Sequence, residues 1–86
     1  MECEFDAEKS RQNKIKHGID FKEAQKLWLG KTIELPARQF NEKRSLVIGK
    51  IARTYWSAII TRRSSIVRII SVRRSRDEEK EIYENS

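Results

Sequence analysis

The apolar residues of this 86-residue chain change their spacing near residue 30. Before that point Phe21, Ala24 and Leu27 recur at helical intervals and define one apolar stripe. After it, three segments rich in β-branched and aromatic residues alternate as strands do, at 45–51, 55–63 and 66–73. A chain this short builds only one small core, so the helical part must pack on the sheet within a single domain, residues 1–86.

Capping residues predict where the first two helices begin and end. Asp6 is a suitable N-cap for a helix over 7–17, and Gly18 follows where a left-handed C-cap is expected. Asp20 is placed to cap a second helix, which Gly30 ends. Both helices therefore precede the strand-forming half of the chain.

The remaining elements complete an α+β order: a short initial strand, two helices, an antiparallel strand meander and a C-terminal helix. The short segments are a strand at 3–5, a strand at 32–35 ended by Pro36, a loop at 37–42, and connections at 52–54 and 64–65. A last helix would run to about Tyr83, and Ser75 and Glu78 would form the capping box at its start. We expect the helices on one face of the sheet and the other face open to water or a ligand.

Charge is concentrated in one block. Residues 1–42 carry eight cations and eight acids, residues 43–76 carry ten cations and no acid, and residues 77–86 carry five acids against one lysine, which gives the net charge of +6. Six of the ten cations are arginines within 62–76. Because a guanidinium binds phosphate oxygens in pairs, the block favours phosphate recognition over the alternative, a solvated edge that discourages strand aggregation. Alternation alone leaves the buried face undecided, and a bulge would shift it.

Three other side chains are candidates for chemistry or binding. Lys16 and His17 end the first helix, where His17 would serve as a general acid or as a cation beside phosphate, or merely cap the helix. Tyr83 is expected to be exposed and to stack on a base, whereas Trp56 is expected in the core. Because the chain has one cysteine and one histidine, we expect no intrachain disulfide and no metal site.

Several short motifs together resemble the BrnT family of toxins. The motifs of the first half are FDxxK at 5–9, Asn13, KHGxxF at 16–21 and Glu23-Ala24. Those of the second half are Glu42, Arg44, Leu46, Ile48-Gly49, Thr61 with Arg63, RIIS at 68–71, Arg73, Glu79 and Tyr83. Each motif is weak alone, but their order and spacing cover nearly the whole chain.

The resemblance implies a RelE-like fold and a cytoplasmic, metal-independent endoribonuclease that inhibits translation and growth and needs no cofactor. It implies RNA as substrate and a cognate ribbon-helix-helix antitoxin. The two proteins would form a hetero-oligomer, and DNA would be contacted only through that complex. The sequence itself has no stretch approaching the roughly 20 apolar residues that span a bilayer, so no membrane partner is expected. With that chemistry, Arg63 and Arg68 would clamp the phosphorane, with Arg73 a weaker candidate. His17 or Lys16 would assist proton transfer. The expected RNA contacts are Arg44, Arg62, Arg73, Arg74 and Tyr83.

Two other functions also fit the basic block. A non-catalytic nucleic-acid-binding module would use the same cations without cutting RNA. An interaction protein, such as an antitoxin-like regulatory partner, would use them to bind an acidic chain.

Overall fold

A computed structural model of the protein describes residues 2–37 and 43–86. The elements are β1 (Glu2–Glu4), α1 (Ala7–His17), α2 (Phe21–Ala24) continued by a 3₁₀ helix (Gln25–Leu29), β2 (Thr32–Pro36), β3 (Ser45–Ile51), β4 (Thr54–Arg63), β5 (Ile66–Arg74) and α3 (Asp77–Glu84). Apart from Ala37, the loop predicted at 37–42 lies outside the described residues. No helix in the part of the chain that the structure describes is long and apolar enough to cross a membrane.

The five strands form one sheet in the order β1-β5-β4-β3-β2. The strands β2 to β5 make the predicted antiparallel meander, and the α+β layout is confirmed. The sheet as a whole is mixed, because β1 lies parallel to β5, with Glu2 opposite Ile66. Parallel strands need a long connection, and the elements from α1 to β4 supply it between β1 and β5.

The predicted helix caps are confirmed at the first two helices. Asp6 Oδ1 accepts a hydrogen bond from the Lys9 N–H at 2.9 Å, and Gly18 adopts a left-handed conformation with φ of 84°. Asp20 Oδ1 accepts from the Glu23 N–H at 2.7 Å. The second helix keeps α geometry only to Ala24 and then tightens into the 3₁₀ helix.

The main core lies between α2, its 3₁₀ continuation and one face of the sheet. Phe21 and Leu27 are fully buried against Ala58, Ile60 and Val72. The apolar stripe read from the sequence is therefore the buried side of this layer, and Trp56 belongs to the same core as predicted.

The C-terminal helix α3 packs on the opposite face of the sheet, so the expectation that all helices share one face is wrong. Its Tyr83 ring meets the Tyr55 ring edge to face at 5.8 Å. The capping box predicted from Ser75 and Glu78 is also wrong. Ser75 is buried, where its hydroxyl lies 2.7 Å from that of Ser57, and the helix begins two residues later. Burying Ser75 anchors the turn, which directs α3 to the second face.

A β-bulge in β5 sets which side chains share a face. Ile59 pairs with Ser71 and Ile60 pairs with Ile69, so Ile70 is an extra residue. Simple alternation puts Arg68 and Arg73 on opposite faces. The bulge reverses that assignment and places both of them on the face away from the main core.

Asn13 joins α1 to the edge of β5. The pairing with β1 ends at Arg68, which leaves the later part of that edge without a strand partner. The Asn13 amide fills this place: its Oδ1 accepts from the Val72 N–H at 3.1 Å, and its Nδ2 donates to the carbonyls of Val72 at 2.9 Å and Ile19 at 2.8 Å. One buried side chain thus satisfies three backbone groups.

Replacing Asn13 with alanine should lower the free energy of unfolding by about 2–3 kcal/mol, because buried backbone groups lose their partners. Urea unfolding measures the loss. Arg11→Ala, on an exposed side of the same helix, is the control. It should cost well under about 1 kcal/mol, as substitutions at surface sites usually do. Equal losses in the two variants would contradict the role given to Asn13.

Candidate nucleic-acid interface

Two adjoining hollows along β5 form one groove, which we call the β5 groove. The first has a volume of about 430 Å³ and is lined by Lys9, Lys43, Arg44, Thr61, Arg62, Arg63, Arg68 and Ile70. The second has a volume of about 190 Å³ and is lined by Lys9, Gln12, Asn13, Lys16, His17, Phe21, Ile70 and Ser71. Lys9 and Ile70 belong to both linings, so the two hollows adjoin.

Different elements bring the cations of the β5 groove together. Arg62 and Arg63 end β4, and Arg68 lies on β5 opposite Thr61. The first helix lies along the β5 edge and supplies Lys9 near its beginning and His17 at its end. Strand pairing and the Asn13 contact therefore fix the relative positions of groups that are far apart in sequence.

The groove is strongly basic. Among its described lining residues are six lysines and arginines in the first hollow, Lys16 as a seventh in the second, and no carboxylate. Two acids outside the groove lining contact its arginines. Arg62 donates to Glu34 at 2.6 Å, and the Arg68 guanidinium is 3.6 Å from Glu4. The hydrogen bond from Arg62 lowers the pKa of Glu34, so that this carboxylate stays charged and orients Arg62.

Six of the predicted site residues line this one groove: Arg44, Arg62, Arg63, Arg68, Lys16 and His17. Sequence reasoning did not select Lys9 or Lys43. Lys9 had a detectable signal, because it lies seven residues before Lys16 and thus on the same side of α1. Lys43 also had a signal, because the predicted hairpin of the strands at 45–51 and 55–63 places the start of β3 beside the end of β4.

Arg73 lies outside the groove. Its guanidinium donates two hydrogen bonds to the Glu79 carboxylate, at 2.9 and 2.8 Å. Burial raises the pKa of Glu79, but the hydrogen bonds from Arg73, the Arg76 N–H and Ser57 outweigh burial and hold it at about 2. The hydrogen bond to Glu79 in turn raises the pKa of Arg73. The described geometry therefore gives Arg73 a structural contact that ties α3 to the sheet.

The expected exposure of Tyr83 is wrong. Its ring is 8% exposed, the Lys31 ammonium lies 4.8 Å from the ring centroid, and its hydroxyl donates to the Lys31 carbonyl at 3.2 Å. The apolar ring fills the space between α3 and the sheet, so no face is left for a base. Arg74 is exposed but lies at the far end of β5, over the Trp56 ring.

The geometry of the β5 groove suits a chain of phosphates. Arginines at one end offer paired donors to anionic oxygens, and Lys9 continues the positive charge towards His17, which is half-buried. An imidazole beside such cations is able to donate or accept a proton near bound phosphate.

The model of a protein family described as the ribonuclease toxin, BrnT, of type II toxin–antitoxin systems matches residues 5–79. The matched segment contains every residue that lines the β5 groove. A search among curated proteins finds no significant match.

Proposed function

Because the chain belongs to the BrnT family of ribonuclease toxins of type II toxin–antitoxin systems, we propose that the β5 groove binds single-stranded RNA and cleaves it. The observation that carries the proposal is the meeting of Arg63, Arg68, Lys9 and His17 in one groove whose described lining contains no acid. A cation-lined groove follows the phosphate backbone, and no sequence preference is required for that.

The cleavage uses a nucleophile that RNA itself supplies. The 2′-oxygen forms a bond to phosphorus, the bond to the 5′-oxygen breaks, and the products are a 2′,3′-cyclic phosphate and a 5′-hydroxyl. Arg63 and Arg68 stabilise the charge that develops on the phosphorane oxygens. His17 or Lys16 takes the proton from the 2′-hydroxyl or returns one to the leaving oxygen. No step in this scheme requires a metal ion.

An end-labelled RNA incubated with the purified protein and a chelator tests the proposal. We expect cleavage to cyclic phosphate ends, and no cleavage at a position where a 2′-deoxynucleotide removes the nucleophile. Binding without cleavage would favour a non-catalytic nucleic-acid-binding module. Cleavage of the 2′-deoxy substrate would contradict the use of the 2′-hydroxyl.

In the cell, we propose that this activity lowers translation and arrests growth in the cytoplasm until a cognate antitoxin neutralises it. The family supports an antitoxin partner, and a ribbon-helix-helix protein in a hetero-oligomer is the form we propose, with DNA contacted through the complex. Induced expression should arrest growth and create new RNA ends, and co-expression of the antitoxin should restore growth. Arrest without new RNA ends would contradict the ribonuclease mechanism.

A further inference from the structure

A third basic hollow, which we call the distal pocket, lies at the far end of β5. Its volume is about 220 Å³, and it is lined by Arg53, Thr54, Tyr55, Arg74, Ser75 and Lys80. Arg53 lies in the turn between β3 and β4, Arg74 is the last residue of β5, and Lys80 comes from α3. Among the residues that the structure describes, three cations and no carboxylate line this pocket.

The Arg74 guanidinium is held in place while it stays accessible. It lies 5.5 Å from the centroid of the Trp56 ring, which belongs to the core and is fixed there. Stacking on an indole orients the planar donors of arginine and leaves its edge free for an anion. Arg53 lies in the tight turn between β3 and β4, where Ala52 adopts a positive φ of 56° as such hairpin turns require.

The acids near the distal pocket do not neutralise the positive charge of its two arginines. Lys80 lies 3.9 Å from Asp77, whose side chain is 99% exposed, so this contact is weak. Glu84 accepts a hydrogen bond from the Tyr55 hydroxyl. Neither Arg53 nor Arg74 forms an ion pair with any residue that the structure describes, so both are available to an anion.

Residues of β5, with Ser75 directly after it, contribute to the lining of all three hollows. Along β5, Arg68 lines the first, Ile70 and Ser71 line the second, and Arg74 with Ser75 lines the distal pocket. Arg74 lies six positions after Arg68, which is about 20 Å along a strand. The Arg74 side chain lies over Trp56 on the main-core face and Arg68 lies on the opposite face, so an RNA that contacts both must pass around the edge or the end of the sheet. An extended single strand covers roughly twice the duplex spacing of about 3.4 Å per nucleotide, so at least about four nucleotides are needed to span this distance.

We propose that the distal pocket binds a backbone phosphate of the same RNA strand that occupies the β5 groove, several nucleotides from the phosphate at Arg68. The proposal rests on the proposed function and extends it to a longer RNA footprint. An acidic protein segment is the weaker candidate, because a protein interface usually needs a buried apolar anchor. The lining offers only the half-buried Tyr55 ring for that purpose.

Fluorescence anisotropy with uncleavable RNA tests this proposal. The probes are fluorescein-labelled single strands of about 2 and about 12 nucleotides, the shorter too short to reach both sites and the longer long enough. Their 2′-fluoro sugars lack the nucleophile. Wild-type protein should bind the longer strand more tightly, and this difference should shrink as salt is raised from about 50 to about 200 mM.

The double variant Arg53→Gln/Arg74→Gln should lose most of this length advantage. Its Kd for the longer RNA should rise about tenfold, and the salt slope should fall by about 1.4 for two lost contacts to a single strand. Lys22→Gln/Lys26→Gln is the control, because it removes the same charge from residues that line none of the three hollows. Because Arg74→Gln also removes the contact with Trp56, Arg53→Glu at the exposed turn is a second test that leaves that contact intact.

Each outcome decides between specific alternatives. An equal loss in both double variants would mean a general charge effect and would overturn the distal site. The site would also be overturned if Arg53→Glu kept full affinity for the longer RNA. A third contrary result would be an Arg53→Gln/Arg74→Gln protein that binds an acidic antitoxin peptide more weakly but binds the longer RNA as well as wild type. Wild-type protein that binds both RNAs equally well would refute the distal site and leave the groove proposal standing. Wild-type protein that binds neither RNA would refute the proposed function itself.

Discussion

Replacing Arg68 with alanine should lower the rate of RNA cleavage by on the order of 10²–10³-fold, with a smaller effect on RNA affinity. The Arg68 side chain is half-buried, lies on β5 opposite Thr61, and is held 3.6 Å from Glu4. Strand pairing fixes the backbone position of Arg68, which limits reorganisation when charge develops on the phosphorane. Single-turnover cleavage of an end-labelled RNA measures the effect.

Two further variants separate catalysis from folding and from general charge. Arg68→Lys keeps the charge but loses the paired donors, so it should recover only part of the rate. Arg11→Ala removes an exposed arginine that pairs with Glu8 outside the groove. An Arg68→Ala protein that melts like wild type and cleaves at the wild-type rate would remove Arg68 from the mechanism. Arg63→Ala, examined in the same assay, tests the second clamp.

Replacing Glu79 with glutamine should lower the free energy of unfolding by about 3 kcal/mol at neutral pH. The Glu79 carboxylate is buried between α3 and the sheet, where it accepts hydrogen bonds from Arg73, from Ser57 at 2.8 Å and from the Arg76 N–H at 2.9 Å. A neutral amide leaves the partly buried Arg73 guanidinium without its counter-charge. Urea unfolding with a circular dichroism signal measures this loss.

The same network predicts the direction of the acid dependence. The pKa of Glu79 lies at about 2 in the folded protein, below its ordinary value of 4.5. The unfolded chain therefore takes up the proton first, and stability is lost as the pH falls from about 4.5 towards 2. The Glu79→Gln protein lacks this part of the dependence. The two proteins should accordingly become more similar in stability as the pH is lowered through this range.

Glu78→Gln is the matched control, because Glu78 occupies the first turn of the same helix and is exposed. It removes one negative charge near the helix N-terminus, which costs about 0.3–1 kcal/mol, and leaves the hydrogen bonds between Arg73 and Glu79 intact. Similar losses in Glu78→Gln and Glu79→Gln would show that the helix dipole, and not the buried network, accounts for the effect.

Local signals were sufficient where a feature depends on neighbours in the chain. The caps at Asp6, Gly18 and Asp20 were predicted correctly because the side chain or backbone that makes each cap lies within a few residues of the helix end. The strand segments were predicted correctly because β-branched runs and short connections are local as well. At Ser75 the local signal failed, because the buried contact with Ser57 outweighs a capping preference.

Features that depend on long-range packing came only from the tertiary structure. The bulge at Ile70 placed Arg68 and Arg73 on one face, and the buried Glu79 carboxylate then removed Arg73 from the group of accessible cations. Tyr83 was buried by contacts with residues 28 and 52 positions away in the chain, namely Tyr55 and Lys31. No local pattern encodes such partners.

The sequence by itself determined the α+β order, the helix ends and the acid-free basic block, because each follows from short-range geometry or from composition. The tertiary structure decided which cations share a groove. Strand register, the bulge and the Asn13 contact bring Lys9 and His17 to the same strand edge as Arg68. Side-chain identity supplies the charge, and only the pairing of distant backbone segments sets the distances at which that charge acts on a phosphate.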